Sequence, residues 1–248
     1  VFVIAIILWI IMLCAIGYAL ISTDGRAPAA GIAALAAVLG LVAFAWSGVH
    51  SVPPKSIGVP VSLGHVEPGY YSSGAHMTWD PFLHLAIINE TVQTTTFEGG
   101  NCLTVRIGGQ QQACADITIQ WRVLPSSASE LFSNYANANH GDLMTTITDA
   151  LVIRELKQVV NSTLGDYNPI TDVQSVTNTN SATSQFSTFG PAILHQMQAD
   201  IGSQIEVRTV LLQFIHYSDA VETKLNAIQQ AYANFAIAQE QVKVNEQQ

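Results

Sequence analysis

Apolar and polar positions along the chain fall into three textures. Val1–Ile21 is an apolar run of twenty-one residues without a charge, Ser22–Pro28 is a short polar segment, and Ala29–Val49 is a second uncharged run with Trp46 near its end. A helix needs about 20 apolar residues to cross a ~30 Å hydrocarbon core, so residues 1–49 are expected to form a two-helix transmembrane hairpin. Trp46 is then an interfacial anchor. Neither run carries the polar stripe of an amphipathic core helix. The first is also too long for a signal peptide and has no small-residue cleavage site.

The texture changes at His50. Val52-Pro53-Pro54-Lys55 cannot be helical, because proline lacks a donor and restricts the residue before it. Short β-like runs follow at Ser56–Leu63, Phe82–Val92, Leu103–Ile107 and Ala115–Val123, separated by Gly64, Pro68-Gly69, Gly74, Asp80-Pro81 and Gly108-Gly109. Those separators are turn formers. Asp116–Val123 alternates polar and apolar, the period of a half-buried strand. A mainly antiparallel β-unit over residues 50–124 is the expectation.

Beyond Pro125 the period becomes helical. Ser127-x-x-Glu130 has the spacing of a capping box, predicting a helix to about His140 with Gly141 as its stop. Asp142 can cap a second helix through Val160, with Leu143, Ile147, Ala150 or Leu151, and Arg154 recurring near the helical period and Gly165 closing it. Residues 171–184 are polar and read as loop or weak strand. Phe186, Phe189, Ile193 and Met197 mark a third helix ending at Gly202, with Pro191 near its first turn or kinking it. Gln204–Tyr217 is β-like. Residues 125–218 thus form an α/β block.

From residue 219 the apolar spacing is the most regular in the chain. Val221, Leu225, Ile228, Tyr232, Phe235, Gln239 and Val242 follow one another at alternating intervals of four and three. That is an a/d seam over three heptads, apolar at every position except Gln239. Residues 219–248 are expected to be the start of a long coiled-coil helix, with the seam as an oligomer interface.

Composition narrows the function classes. Only 11% of the 248 residues are charged and the net charge is −9, against roughly 25% charged in a typical globular domain. Two of the charges, Asp24 and Arg26, lie in residues 1–49. No basic face exists for nucleic acid. The remaining surface draws its polarity from Ser, Thr, Asn and Gln, as suits a domain that packs against copies of itself. Arg26 and Lys55 flank the second run evenly, so the positive-inside count does not orient the membrane segment.

The candidate chemistry is thin. His50, His65, His76, His84, His140, His195 and His216 include no H-x-x-x-H pair and no zinc-type cluster; His76, His84 and Asp80 share one turn-rich stretch but are read as ordinary turn and strand residues. No G-x-S-x-G elbow or phosphate loop occurs. The chain is therefore read as a non-enzyme with no cofactor and no metal. Cys102 and Cys114 flank the Gly108-Gly109 turn almost symmetrically, so strands folding back there place them within disulfide reach. A disulfide would put the domain outside the cytoplasm. Tyr70, Tyr71, Trp79 and Phe82 cluster in the first β-unit and, with Trp46, are candidate membrane-surface contacts; core filling is the competing reading.

The order of these features resembles the SPFH, or band 7, family of stomatin-, prohibitin- and flotillin-like membrane proteins. The resemblance rests on Val52–Val59 with Gly64-His65-Val66, on Gly74-Ala-His76 with Trp79-Asp-Pro-Phe82, on Asp116–Val123 leading to Pro125 and Leu131-Phe132, on Ile147–Gly165, on Ile201-Gly202 leading to Val207, and on the seam from residue 219. It implies an α+β architecture: a transmembrane hairpin (1–49), a β-rich first SPFH subdomain at the membrane surface (50–124), an α/β second subdomain (125–218) and a coiled-coil helix (219–248). It also implies a membrane scaffold that assembles into a large homo-oligomeric ring or cage and organises a membrane microdomain. The implied partners are further copies of the chain, membrane lipids and a membrane protease or other membrane client. A regulator that encloses or gates a membrane protease or transporter is the alternative, and a membrane-tethered hydrolase a weaker one. The implied location is the cell membrane, multi-pass.

Overall fold

The structure, a computed structural model, describes residues 7, 9–14, 16, 35, 38–40, 42, 48–78, 80, 82–108, 111–136, 142–172 and 185–246. Residues 9–14 are helical, and Trp9, Ile10, Ile11 and Leu13 expose their apolar side chains. Among the described residues no helix is long and apolar enough to cross a membrane. The hairpin expected over residues 1–49 lies mostly outside the described residues.

Two units make up the chain, and each is discontinuous in sequence: residues 1–90 with 125–136, and residues 91–124 with 137–248. This grouping by contacts cuts across the division into 50–124 and 125–218 expected from the sequence. It does so because strand pairing crosses that boundary. Strand β8 (Gln111–Val123) is hydrogen-bonded along ten positions to β9 (Ile205–His216), while helix α1 (Ala128–Tyr135) returns to the first unit.

In the first unit β1 (Val49–Val52) pairs antiparallel with β4 (Gly74–Met77), and β2 (Ser56–Ser62) lies between β3 (His65–Val66) and β5 (Leu83–Asn89). The apolar run Phe82–Val92 is thus shorter as a strand than its sequence suggests, and β6 (Gln93–Phe97) starts afresh beyond it. Five consecutive residues of β2, Ile57 to Val61, are buried, so both faces of that strand are covered. Gly58 exchanges both backbone hydrogen bonds with Tyr71 at 2.8 Å, and a Cβ there would stand 2.8 Å from Val52 Cγ2 and 3.1 Å from Leu85 Cδ1. Only a glycine lets these side chains close over the strand.

The second unit is a four-stranded antiparallel sheet backed by helices. β6 and β7 (Leu103–Ile107) share one edge of β8, and β9 takes the other. The β7–β8 hairpin closes after Gly108, whose φ of +53° suits glycine. Along β8, Ala113, Ala115, Ile117, Ile119, Trp121 and Val123 are buried while the intervening side chains face outward.

The long helix after Asp142 is three pieces: α2 (Leu143–Ile147), a π-helical stretch (Thr148–Ile153) and α3 (Arg154–Leu164). It runs past Val160 to Leu164, with Gly165 as its C-cap. The wide turns add a residue, so burial moves from Ile147 to Val152, Leu156, Val159, Val160 and Leu164. Arg154, expected on the apolar stripe, is exposed. Helix α1 ends at Tyr135 rather than near His140, and residues 137–141 lie outside the described set, as does most of the expected loop at 171–184. Helix α4 (Phe186–Ile201) contains Pro191 and packs on α3 and β9. Helix α5 (Asp219–Glu246) runs for 28 residues, about 42 Å at about 1.5 Å per residue.

Candidate functional site

At one end of the first unit the turns converge around Asp80. Ser62 donates a 2.5 Å hydrogen bond to Asp80 Oδ2, and the Phe82 amide donates to Oδ1 at 2.9 Å. The Ser62 hydroxyl, then the Phe82 amide, hold the Asp80 carboxyl below its ordinary value; burial opposes them, and His50 adds a smaller downward pull. The knot ties the end of β2 to the approach to β5. Register brings Leu63, in the adjoining turn, beside Phe82, because Ser62 pairs with Leu83. Nearby, Val49 pairs with Met77, and Thr78 donates to the Gly48 carbonyl where the chain arrives from residues 1–47.

This end is apolar and exposed. Leu63 is 73% exposed, Met77 56% and Phe82 51%, and Val49 is exposed beside them. Among the aromatic residues proposed from sequence for membrane contact, Phe82 and Tyr70 are exposed. Tyr71 is half-buried: it bridges to Gly58 and sets its ring edge-on to His76 at 5.0 Å. Trp46 and Trp79 lie outside the described residues. Sequence reasoning passed over Leu63, Met77 and Val49; a leucine directly before a turn glycine was the available signal.

Among the described residues no array of catalytic type surrounds Ser62. Its proton is directed at Asp80 rather than at an imidazole, and His50 Nε2 is buried without a hydrogen-bond partner. His76 Nε2 lies 2.6 Å from the Ser72 carbonyl. His84 is exposed on β5. Among the described residues no group of three His, Cys, Asp or Glu side chains converges as metal ligands.

In the second unit the polar groups gather on the outward face of the sheet. Arg122 Nε meets Glu206 Oε2 at 2.5 Å and Arg208 Nε meets Oε1 at 3.1 Å. The Arg122 hydrogen bond, ahead of that from Arg208, holds the Glu206 carboxyl below its ordinary value despite partial burial. Toward the opposite end of β8, His216 Nε2 meets Asp116 Oδ2 at 2.9 Å. Cys102 and Cys114 are joined as a disulfide with their Cα atoms 5.5 Å apart. Leu211 and Phe214 stand exposed on β9 between the two charged clusters.

Helix α5 presents the heptad seam. Val221 is buried, Leu225, Ile228 and Tyr232 are half-buried, and Phe235, Gln239 and Val242 are exposed. Every other residue of the helix through Gln241 is exposed. The seam is thus the least exposed stripe over its first three turns and an open apolar stripe beyond them.

The profile of the SPFH domain/Band 7 family matches residues 50–248. The chain belongs to the SPFH domain/Band 7 family. The whole second unit with helix α5, and residues 50–90 and 125–136 of the first unit, lie within the match. The chain is also similar to a Mycobacterium tuberculosis protein named Protease Rv3090, 25% identical over 232 residues, which make up 92% of this chain and 73% of that protein. That similarity extends beyond the family match and takes in part of the apolar N-terminal region.

Proposed function

We propose that this SPFH-domain protein is a membrane-anchored scaffold that self-assembles side by side into a large ring or cage and organises the membrane it encloses. The observation that carries the reading is the seam of helix α5, whose later members, Phe235 and Val242, are left in solvent within one chain. An apolar stripe at alternating four- and three-residue spacing is covered by another helix of the same kind. The apolar runs at 1–21 and 29–49 supply the membrane anchor. The exposed end of the first unit, next to the point where that anchor joins, supplies a surface suited to the lipid headgroup region. The disulfide favours an extracytoplasmic placement of the domain.

Replacing Leu225 and Ile228 together by Asp puts charge into the seam. In detergent, light scattering and electron microscopy should show large closed particles for the parent chain and small species for the double variant. Particles of unchanged size in the variant would refute assembly through the seam. The name of the mycobacterial relative favours a second reading, in which the assembly encloses or gates a membrane protease. A defined protease that co-purifies with the parent chain in fixed ratio distinguishes this from a scaffold without a client.

A further inference from the structure

The disulfide sits among polar groups that bear on its reactivity. Cys102 follows a short 3-10 turn (Gly99–Asn101) at the start of β7, and Cys114 lies on the outward face of β8. Both cysteines are half-buried, so the bond is not sealed in the core. The residue directly opposite Cys114 on β9 is His216. Its imidazole is oriented by the Asp116 carboxylate at 2.9 Å, while the other oxygen of that carboxylate accepts the Gly99 amide at 3.2 Å. One carboxylate therefore holds both the imidazole of the residue paired with Cys114, whose ring also packs on Phe214 at 4.8 Å, and the turn that delivers Cys102. The charged groups around this end of the sheet are Asp116 on β8, Arg106 on β7 and Glu98 before the turn, with His216 the titratable group facing from β9.

We propose that Cys102–Cys114 is a thiol–disulfide exchange site for a dithiol, with Cys114 as the leaving sulfur and His216 as the group that receives its charge. A thiolate of the dithiol attacks Cys102 Sγ. The Cys102–Cys114 bond breaks, and Cys114 departs as a thiolate beside the protonated imidazole. The second thiol of the substrate then attacks its own sulfur in the mixed disulfide and releases Cys102. The dithiol loses two electrons and becomes a disulfide; the protein disulfide gains them, and both cysteines end as thiols carrying the two substrate protons. An imidazolium stabilises a departing thiolate, and exchange quickens when the leaving sulfur is stabilised. Asp116 is a positioning residue that acts through His216 and through Gly99.

The test uses the full oxidised chain in detergent without denaturant, dithiothreitol as the dithiol, an acid quench and alkylation counted by mass. The parent chain should gain two alkylations in a single native-state phase, with a rate that, once divided by the thiolate fraction of dithiothreitol, falls as the imidazole loses its proton. His216→Ala should slow the phase about tenfold near pH 7 and lose that pH break, and Asp116→Asn should give an intermediate rate. If His216→Ala does not fold, the pH profile of the parent chain decides alone. Reduction only in denaturant, a parent profile without a break, or a folded His216→Ala that reacts as fast as the parent or faster would each overturn the proposal.

Discussion

Strand β2 in the first unit and strand β8 in the second use their surroundings in opposite ways. β2 is buried at five consecutive residues, Ile57 to Val61, so neither of its faces is available for anything but packing. β8 alternates over its 13 residues, with one face forming the core and the other carrying the disulfide and both ion-paired clusters. The first unit shows exposed apolar groups at strand ends, around Leu63, Phe82 and Met77, with Ile87 exposed within β5. The second shows its exposed groups along the sheet itself. A strand closed on both sides is a scaffold for its termini, and a strand closed on one side is a platform.

Trp121 anchors the platform's inner face and is fully buried. Trp121→Ala removes the largest of these core side chains and should cost about 3–5 kcal/mol of stability, measured by urea denaturation. Its neighbour Gln120 faces outward, and Gln120→Ala should move stability by less than about 0.5 kcal/mol. Equal losses for the two variants would mean that the outward face is packed after all, and the contrast with β2 would fail.

Gly58 tests the closed strand from the other direction. Gly58→Ala places a methyl 2.8 Å from Val52 Cγ2, an overpacking that should cost about 1–3 kcal/mol. Val52→Ala removes the obstructing methyl and creates a small cavity by itself. Combined, the two substitutions should be less damaging than the sum of their separate costs, because each relieves the other. Strict additivity in the double variant would show that the crowding at Gly58 is not what limits β2.

Much of the platform was readable in the amino-acid pattern, because β8 alternates cleanly and its hairpin with β7 is local. Its neighbour β9 was readable as a strand but not as a partner. Asp116 and His216 are 100 positions apart, and no local periodicity reports such a register. The same long-range pairing places β8 and β9 in one unit. The phase change between Ile147 and Val152 was hidden for a different reason. An added residue per turn leaves composition untouched and is visible only in which side chains are buried. In the first unit, turn residues marked the strand ends, but the Ser62–Asp80 hydrogen bond spans 18 positions and fixes Leu63 and Phe82 on one surface without any motif. The family resemblance came from the order of segments, which survives these errors of boundary and phase.

The units should also part company in alkali. Tyr167 donates a 3.2 Å hydrogen bond to the buried Asp172 and packs edge-on against Phe189, while Asp172 Oδ1 accepts the Gln185 amide at 2.9 Å. Burial, then the hydrogen bond and charge of Tyr217 and the Asp172 carboxylate, push the Tyr167 phenol far above its ordinary value, and burial raises Tyr217 as well. A phenol raised on folding contributes stability that is complete below the unfolded value near 10 and is lost as pH climbs toward the folded value. The second unit should therefore lose about 1 kcal/mol by pH 11, since each unit of pH above the unfolded value costs about 1.4 kcal/mol per raised group at most. Hydrogen exchange between pH 9 and 11, corrected for intrinsic rates, should show β8 and α4 loosening while β2 and β5 do not change. Tyr167→Phe removes the ionising group and should flatten the response of the second unit at some cost in stability at neutral pH. A decline shared equally by both units, or one that persists undiminished in Tyr167→Phe, would place the alkaline sensitivity elsewhere than in this cluster.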